Sequence, residues 1–178
     1  MNNSQPNNVY ASEPASRSGE ARRILLLEDS PGEAELSYEA LVLAWKKLEP
    51  DPEAPRPGID VQHTAKDALV CLRNPAWQKT HNLPDLVVLD LDLPGGTSLM
   101  FLRELRMDSR LATLPVIVMA WSDEQNIVRS LDGLGVVGYV VEPMLLDDLV
   151  ALVGGFCRHV LSGNSRQEFC ALDWMRPA

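Results

Sequence analysis

The chain has 178 residues, of which 46% are hydrophobic, and a formal net charge of −9. This length suits one compact domain with flexible ends and excludes two full domains. The acidic balance, without clustered Lys and Arg, argues against nucleic-acid binding, so we expect a protein, a cation or a small molecule as partner.

The cysteines and the apolar runs indicate the environment in which the protein is expected to work. Cys71, Cys157 and Cys170 are odd in number and show no CxxC spacing, and no signal-like apolar segment precedes the first predicted strand. These features predict a reducing cytoplasm. No apolar run approaches the ~20 residues that a membrane helix requires, so we expect no membrane association.

The N-terminal part combines a polar arm with a first strand and helix. Residues 1–20 are rich in Asn, Ser and Pro, which predicts a disordered N-terminal arm. The apolar run "RILLLED" predicts a strand that ends in acid. Ser30 then provides a helix cap, Pro31 a first helical residue and Glu33 a partner that closes a capping box. The helix continues over 34–48.

The remaining elements alternate between strands and helices. Three apolar runs predict buried strands, and one alternating run predicts a half-exposed strand. In chain order the elements are strand "IDVQHT", helix Ala65 to Arg73, strand "LPDLVVLD", helix Ser98 to Arg106, strand "LPVIVMAW", a fourth helix from "SDEQ" to about Leu134, strand "VGYVVEP" and a fifth helix from Asp147 to Leu161.

This alternation predicts an α/β fold with a parallel sheet covered on both faces. In such sheets the functional site lies beyond the carboxyl ends of the strands. Glu28 and Asp29 end the first strand, Asp90 ends the third, and Ala120 and Glu142 end the fourth and fifth. Since a buried lone carboxylate is costly, carboxylates at this rim suggest a metal, a phosphoryl group or a partner.

Four stretches, "ILLLEDSP", "LVVLDLDLP", "LPVIVMAWS" and "GYVVEP", follow one another at the ends of predicted strands. With them the chain resembles the receiver domain of two-component response regulators over residues 22–162. The resemblance implies a flavodoxin-like, doubly wound five-stranded parallel sheet of order 2-1-3-4-5 with five helices. It also implies that an aspartate accepts a phosphoryl group from a histidine kinase, with Mg²⁺, and thereby changes partner affinity.

The resemblance assigns roles to individual residues. Asp90 falls at the phospho-acceptor and also among the metal ligands, and Glu28 and Asp29 fall at the acidic pair that holds Mg²⁺. The backbone carbonyl of Asp92 is the remaining protein ligand. Mg²⁺ prefers such hard oxygen ligands and would neutralise carboxylates that repel each other. Two further positions match as well, with Tyr139 at the switch aromatic and Pro94 at the proline of the acceptor loop.

Two positions depart from the family pattern. Ala120, followed by Trp121, replaces the Ser or Thr at the end of the fourth strand, and Glu142 replaces the Lys before Pro143. A hydroxyl bond to a charged group contributes about 1.5 to 3 kcal/mol. Reversing a charge about 4 Å from the phosphoryl group changes the interaction from about −4 to about +4 kcal/mol at a dielectric of ~20. Conventional switching is therefore expected to be impaired, unless Ser122 supplies a hydroxyl.

Three functional hypotheses follow. The first is a single-domain, non-enzymatic response regulator of phosphorelay signalling. The long connection "NPAWQKTHNLP" after the second predicted helix is similar to that of the stand-alone regulators paired with phytochrome-type kinases. The second is a degenerate receiver that acts as a phosphorylation-independent interaction module. The third is a phosphatase of the haloacid-dehalogenase type, because "LDLDLPGGT" also looks like its DxD motif, with Asp90 as nucleophile and Asp92 as general acid. That family, however, places DxD on its first strand.

The partners are expected to be proteins. Residues 163–178 are predicted to be a C-terminal tail too short to fold alone, so output must come through binding to a histidine kinase or another signalling protein. The face that spans the predicted fourth and fifth helices is a candidate for a symmetric homodimer, if it is partly exposed. The apolar side chains near it are expected to form core or a helix-packing face: Leu146, Leu149, Val150, Val153 and Val160.

Overall fold

Apolar strands form the centre of a parallel sheet. The computed structural model describes residues 22–48, 53, 55–121, 129–141, 146–147, 150–151, 154–155 and 169–170. The predicted N-terminal arm lies outside these residues. The strands are β1 (Arg23–Leu27), β2 (Gly58–Gln62), β3 (Leu86–Asp90), β4 (Val116–Ala120), β5 (Val136–Val141) and β6 (Phe169–Cys170).

The strand order is β2-β1-β3-β4-β5-β6, with each described pair parallel. The first five strands confirm the predicted order 2-1-3-4-5. β6 was not predicted: this two-residue strand pairs with Gly138 and Tyr139 of β5 and extends the sheet at that edge. It comes from the segment predicted to be a tail.

Four complete helices belong to the described part of the chain: α1 (Pro31–Leu48), α2 (Ala65–Arg73), α3 (Pro75–His81) and α4 (Thr97–Met107). α2 has the predicted bounds, because Thr64 caps it by accepting a hydrogen bond from the amide of Asp67. α3 was not predicted as a helix, only as part of the connection "NPAWQKTHNLP" after the second predicted helix. It forms because Asn74 caps it and Pro75 supplies its first residue.

The two predicted C-terminal helices are described only in part. Residues 129–130 are helical and lead into a turn at 131–135, while 146–147, 150–151 and 154–155 are helical. Val150 is buried and Leu146 packs against the same core cluster, so these two side chains serve the core. Leu149, Val153 and Val160 lie outside the described residues, and the homodimer face stays a prediction.

Two apolar layers cover the sheet, as buried parallel strands require. One layer joins α1 and Val150 to side chains such as Ile24, Val88 and Met119. The other joins α2 and α4 to the opposite face of the same strands, with Phe101 fully buried at its centre. This packing fixes the ends of the strands relative to one another. No helix in the described ranges is long and apolar enough to cross a membrane.

Candidate functional site

Three carboxylates meet at the carboxyl edge of the sheet. Leu27 of β1 pairs with Leu89 of β3, so the residues that follow, Glu28, Asp29 and Asp90, emerge side by side. One carboxylate oxygen from each lies within 4.8 Å of the others. Glu28 is fully buried and Asp90 is 3% exposed. The structure thus brings together the three side chains that the sequence assigned to metal binding.

Glu28 is held by the start of α1. Its Oε1 accepts a hydrogen bond from the amide of Ser30 at 3.0 Å. Ser30 Oγ faces the amide of Glu33 at 3.5 Å, as a helix cap should. The predicted capping box is therefore only half correct, because the amide of Ser30 donates its hydrogen bond to Glu28 rather than to Glu33. The cap thereby orients a carboxylate of the site.

The backbone of Glu28 is anchored to β2. Its amide donates to the carbonyl of Gln62 at 3.0 Å. Its carbonyl is 2.8 Å from Nδ1 of His63, a distance at which the ring N–H donates to that oxygen. Sequence reasoning found no functional signal for His63, since a single His after a half-exposed strand has no metal-ligand spacing. Its role here is to position Glu28.

The loop after β3 is held by Ser98. Its hydroxyl lies 3.0 Å from the carbonyl of Asp90 and 2.9 Å from that of Leu91, and the side chain is fully buried. Gly95 and Gly96 bring α4 into place with φ of 69° and 67°, a region that side chains disfavour. Sequence reasoning missed Ser98, because a serine in the first turn of a helix normally indicates only a cap.

The Asp90 carboxylate is oriented by a hydrogen bond and lies close to other negative charges. Its Oδ1 accepts a hydrogen bond from the amide of Asp92 at 2.8 Å. Burial raises the pKa of Asp90 to about 6, the hydrogen bond from Asp92 lowers it in part, and the charges of Asp92, Asp29 and Glu33 raise it further. A cation at this point would favour the ionised form.

The rim continues at the end of β4. Ala120 is fully buried, so the end of β4 carries a buried methyl group where the family pattern has a hydroxyl. Trp121 follows and is 54% exposed. Its amide donates to Oδ2 of Asp92 at 3.1 Å. This contact links two predicted site residues in a way the sequence did not indicate, because it depends on the pairing of β3 with β4.

The other predicted switch positions lie on and after β5. Tyr139 pairs with Val118 and packs, half-buried, against the apolar layer that contains α4. Glu142, Pro143 and Ser122 lie outside the described residues. Their assignments stay predictions.

The carboxylates fit a hard divalent cation. Glu28 and Asp90 are buried carboxylates that would repel each other in the absence of a counter-charge. Carboxylate oxygens are the ligands that Mg²⁺ prefers, and it completes its shell with water and phosphate oxygens. The partly exposed Asp29 leaves an open side for such ligands.

Comparison with known proteins gives a consistent family. The family model described as "Response regulator receiver domain" matches residues 56–154, which include Asp90. The phosphate regulon transcriptional regulatory protein PhoB of Escherichia coli (strain K12) is 30% identical over 141 residues. The match covers 79% of this chain and 53% of PhoB. The chain thus spans about half the length of the curated relatives it matches.

Solved structures show the same fold. The phosphorylated cyanobacterial phytochrome response regulator RcpA is similar with a TM-score of 0.68 and 25% identity, covering 83% of this chain and 98% of RcpA. The Mn(2+)-bound form of response regulator Rcp1 is similar with a TM-score of 0.62 and 25% identity, covering 79% of this chain and 94% of Rcp1.

Proposed function

Because the chain belongs to the response regulator receiver domain family of two-component signalling, we propose that Asp90 accepts a phosphoryl group from a histidine kinase. The observation that carries this proposal is the meeting of Glu28, Asp29 and Asp90 within 4.8 Å at the carboxyl edge of the sheet. The signal is then passed on by protein contacts, without enzymatic turnover of a separate substrate. The phosphorylated form of RcpA supports a phosphoryl acceptor in a related fold.

The transfer step follows from the geometry of Asp90. The amide of Asp92 fixes Oδ1, so the carboxylate is oriented before the phosphodonor arrives. A carboxylate oxygen of Asp90 attacks the phosphorus of a phosphohistidine, an O–P bond forms, and the N–P bond breaks. The departing imidazole nitrogen keeps the bonding electron pair. Ionisation of Asp90 is required, so its raised pKa of about 6 leaves it reactive at neutral pH.

We further propose that Mg²⁺ is held by Glu28, Asp29, Asp90 and the backbone carbonyl of Asp92. When bound, Mg²⁺ offsets the repulsion between these carboxylates and the oxygens of the phosphoryl group. The Mn(2+)-bound form of Rcp1 supports a divalent cation in a related fold. Ser30 and His63 keep Glu28 in place for this role.

Switching after transfer is proposed to be weaker than the family pattern implies. Ala120 has no hydroxyl with which to bond a phosphoryl oxygen, and Glu142 would repel that oxygen where a Lys would attract it. Tyr139 and Pro143 retain the family's residue types. The candidate homodimer face, the absence of nucleic-acid binding and the cytoplasmic location belong to this proposal as well.

A second candidate function is a phosphorylation-independent interaction module. The buried methyl group of Ala120 favours it, because this position has no hydroxyl that could form a hydrogen bond with a phosphoryl group on Asp90. In this case the surface near Trp121 would contact a partner in one permanent arrangement. Metal binding without phosphoryl binding would distinguish this module from a working receiver.

The test uses Mg²⁺ and beryllofluoride, a mimic of the phosphoryl group. Mg²⁺ affinity is measured first by calorimetry, and bound beryllofluoride is then detected by ¹⁹F NMR in the wild type and in Asp90→Asn. The proposal predicts a bound ¹⁹F signal that requires both Mg²⁺ and Asp90. Absence of that signal despite metal binding would leave the interaction module as the better account.

A further inference from the structure

Two successive peptide groups after β3 are fixed by the same buried side chain. The hydroxyl of Ser98 lies 3.0 Å from the carbonyl oxygen of Asp90 and 2.9 Å from that of Leu91. We propose that Ser98 is a positioning residue for phosphoryl transfer, which holds the backbone amide of Asp92 in the direction that orients the acceptor carboxylate. This inference deepens the proposed function and rests on it, because it requires transfer to Asp90.

The connection between Ser98 and the acceptor runs through one peptide group. The carbonyl of Leu91 and the amide N–H of Asp92 belong to the same planar peptide, in which the C=O and N–H bonds point in opposite directions. Ser98 donates to the carbonyl end, and the amide end donates to Oδ1 of Asp90 at 2.8 Å. A rotation of this peptide group that breaks one of these hydrogen bonds therefore turns the other out of line as well.

The preceding peptide group is fixed in the same way. The carbonyl of Asp90 faces the Ser98 hydroxyl, and the amide of Leu91 donates to the carbonyl of Met119 on β4 at 2.8 Å. Two adjacent peptide planes are thus held between the serine on one side and fixed acceptors on the other. A hydroxyl has a single proton to donate, so the two carbonyls share it, and its removal affects both.

Ser98 itself is held in place by the packing of α4. Its side chain is fully buried, so solvent water does not compete for the hydroxyl. Phe101, Leu102 and Leu105 of the same helix are also fully buried, in the apolar layer against the sheet. The position of the hydroxyl is therefore set by the core. A group that is locked by packing on a helix orients a site more precisely than a group on a loop.

This positioning reaches the reacting atoms through the Asp90 carboxylate. Because the amide of Asp92 holds Oδ1, the carboxylate cannot rotate freely, and its second oxygen keeps a fixed direction. A reacting group that is held near its productive geometry reacts faster than one that rotates freely. Ser98 is buried beneath the loop and does not touch the phosphodonor, so its effect on transfer is indirect.

The experiment compares Ser98→Ala with the wild type and with Ser37→Ala. Ser37 on α1 is also buried, at 5% exposure, and is the matched control for the loss of a buried hydroxyl. The amide of Asp92 is assigned by triple-resonance NMR, and its hydrogen exchange and chemical shift are recorded. Intact mass spectrometry follows the rate at which acetyl phosphate labels the protein in Mg²⁺, and urea denaturation measures the stability of each variant.

The proposal predicts that Ser98→Ala loosens the acceptor loop in a protein that still folds. The Asp92 amide should exchange about fivefold faster than in the wild type, and phosphoryl labelling should be about fivefold slower, the effect of a single lost hydrogen bond. The Asp92 resonance should shift as well. Ser37→Ala should leave both rates close to those of the wild type, even where it loses as much stability as Ser98→Ala.

The contrary outcomes can be told apart. A wild-type Asp92 amide that exchanges as fast as in an unstructured peptide would overturn the inference, whether or not Ser98→Ala folds. Equal labelling rates in the wild type and Ser98→Ala, or equal slowing in Ser37→Ala, would overturn it while leaving Asp90 as the acceptor. If the wild type is not labelled at all, the proposed function fails, and the positioning role of Ser98 fails with it.

Discussion

The two edges of the sheet differ in how their charges are arranged: the amino edge pairs opposite charges, and the carboxyl edge brings like charges together. At the amino edge, Arg22 pairs with Asp85 at 3.4 Å, and Arg23 forms an ion pair with Asp60. Arg106 donates from the end of α4 to the carbonyls of Ala112, Leu114, Leu134 and Gly135 at 2.7 to 3.0 Å. At the carboxyl edge, Glu28, Asp29 and Asp90 crowd together within 4.8 Å.

This difference separates stability from function. The amino edge joins opposite charges and carbonyl dipoles, which stabilises the ends of the strands. The carboxyl edge holds like charges in a buried place, where they weaken the fold unless a cation or a proton neutralises them. Perturbed carboxylates of this kind are typical of functional sites. Equivalent substitutions at the two edges should therefore have opposite effects on stability.

The largest expected effect concerns Arg106 at the amino edge. Arg106→Met keeps an apolar stem but removes the hydrogen bonds to four carbonyls, so we expect the free energy of unfolding to fall by about 3 kcal/mol. Urea denaturation followed by circular dichroism measures this loss. Arg103→Met on the exposed face of the same helix is the control and should change stability by less than about 0.5 kcal/mol. Equal effects would refute a structural role for Arg106.

The next effect compares two isosteric changes. Asp90→Asn removes a buried charge from the carboxyl edge and should stabilise the protein by about 1 to 2 kcal/mol at pH 7, allowing for partial screening by solvent. Asp85→Asn at the amino edge should instead destabilise it by about 1 kcal/mol, because Asp85 accepts from the amide of Arg23 and pairs with Arg22. Urea denaturation of both variants tests the signs. Destabilisation by Asp90→Asn would contradict the comparison.

Mg²⁺ should reduce the destabilising repulsion at the carboxyl edge and so stabilise the fold. At a concentration ten times its dissociation constant it should raise the free energy of unfolding by about 1.4 kcal/mol. Asp29→Asn should abolish most of this gain, whereas Asp132→Asn, an exposed carboxylate in the turn before β5, should not. Thermal and urea unfolding with Mg²⁺ and with EDTA measure the gain. An equal gain in Asp29→Asn would remove this residue from the metal site.

The smallest expected effect is a pH dependence. The pKa of Asp90 is about 6 in the folded protein, above the 3.8 of an unperturbed aspartate. This group therefore favours folding below pH 3.8 and loses that contribution as the pH rises through about 6. The stability gap between Asp90→Asn and the wild type should therefore shrink as pH falls from 7 towards 4. Urea denaturation in EDTA at each pH measures the gap. A constant gap would indicate that Asp90 titrates normally.

Most of the fold could be predicted from local patterns. Continuous apolar runs indicated buried parallel strands, and the helix predicted from Ala65 to Arg73 has the bounds of α2. α3 was missed because "NPAWQKTHNLP" contains two prolines and looked like a loop, although an Asn cap before Pro75 is a helix signal. β6 was missed because a two-residue strand has no pattern of its own and depends on pairing with β5.

The site could be predicted only where it depends on strand ends. Glu28, Asp29 and Asp90 were found because parallel strands present their carboxyl ends at one edge. The contacts of Ser98 and His63 with backbone carbonyls could not be found, since they depend on how loops fold back. The bond from Trp121 to Asp92 joins residues 29 positions apart and requires the register between β3 and β4.

The most direct test of the central claim is covalent labelling of Asp90. The protein is incubated with acetyl phosphate and Mg²⁺, and intact mass spectrometry counts the added phosphoryl groups in the wild type, Asp90→Asn and Asp85→Asn. The proposed function predicts one Mg²⁺-dependent phosphoryl group in the wild type and in Asp85→Asn, and none in Asp90→Asn. A wild type that stays unlabelled, or labelling that survives Asp90→Asn, would contradict it.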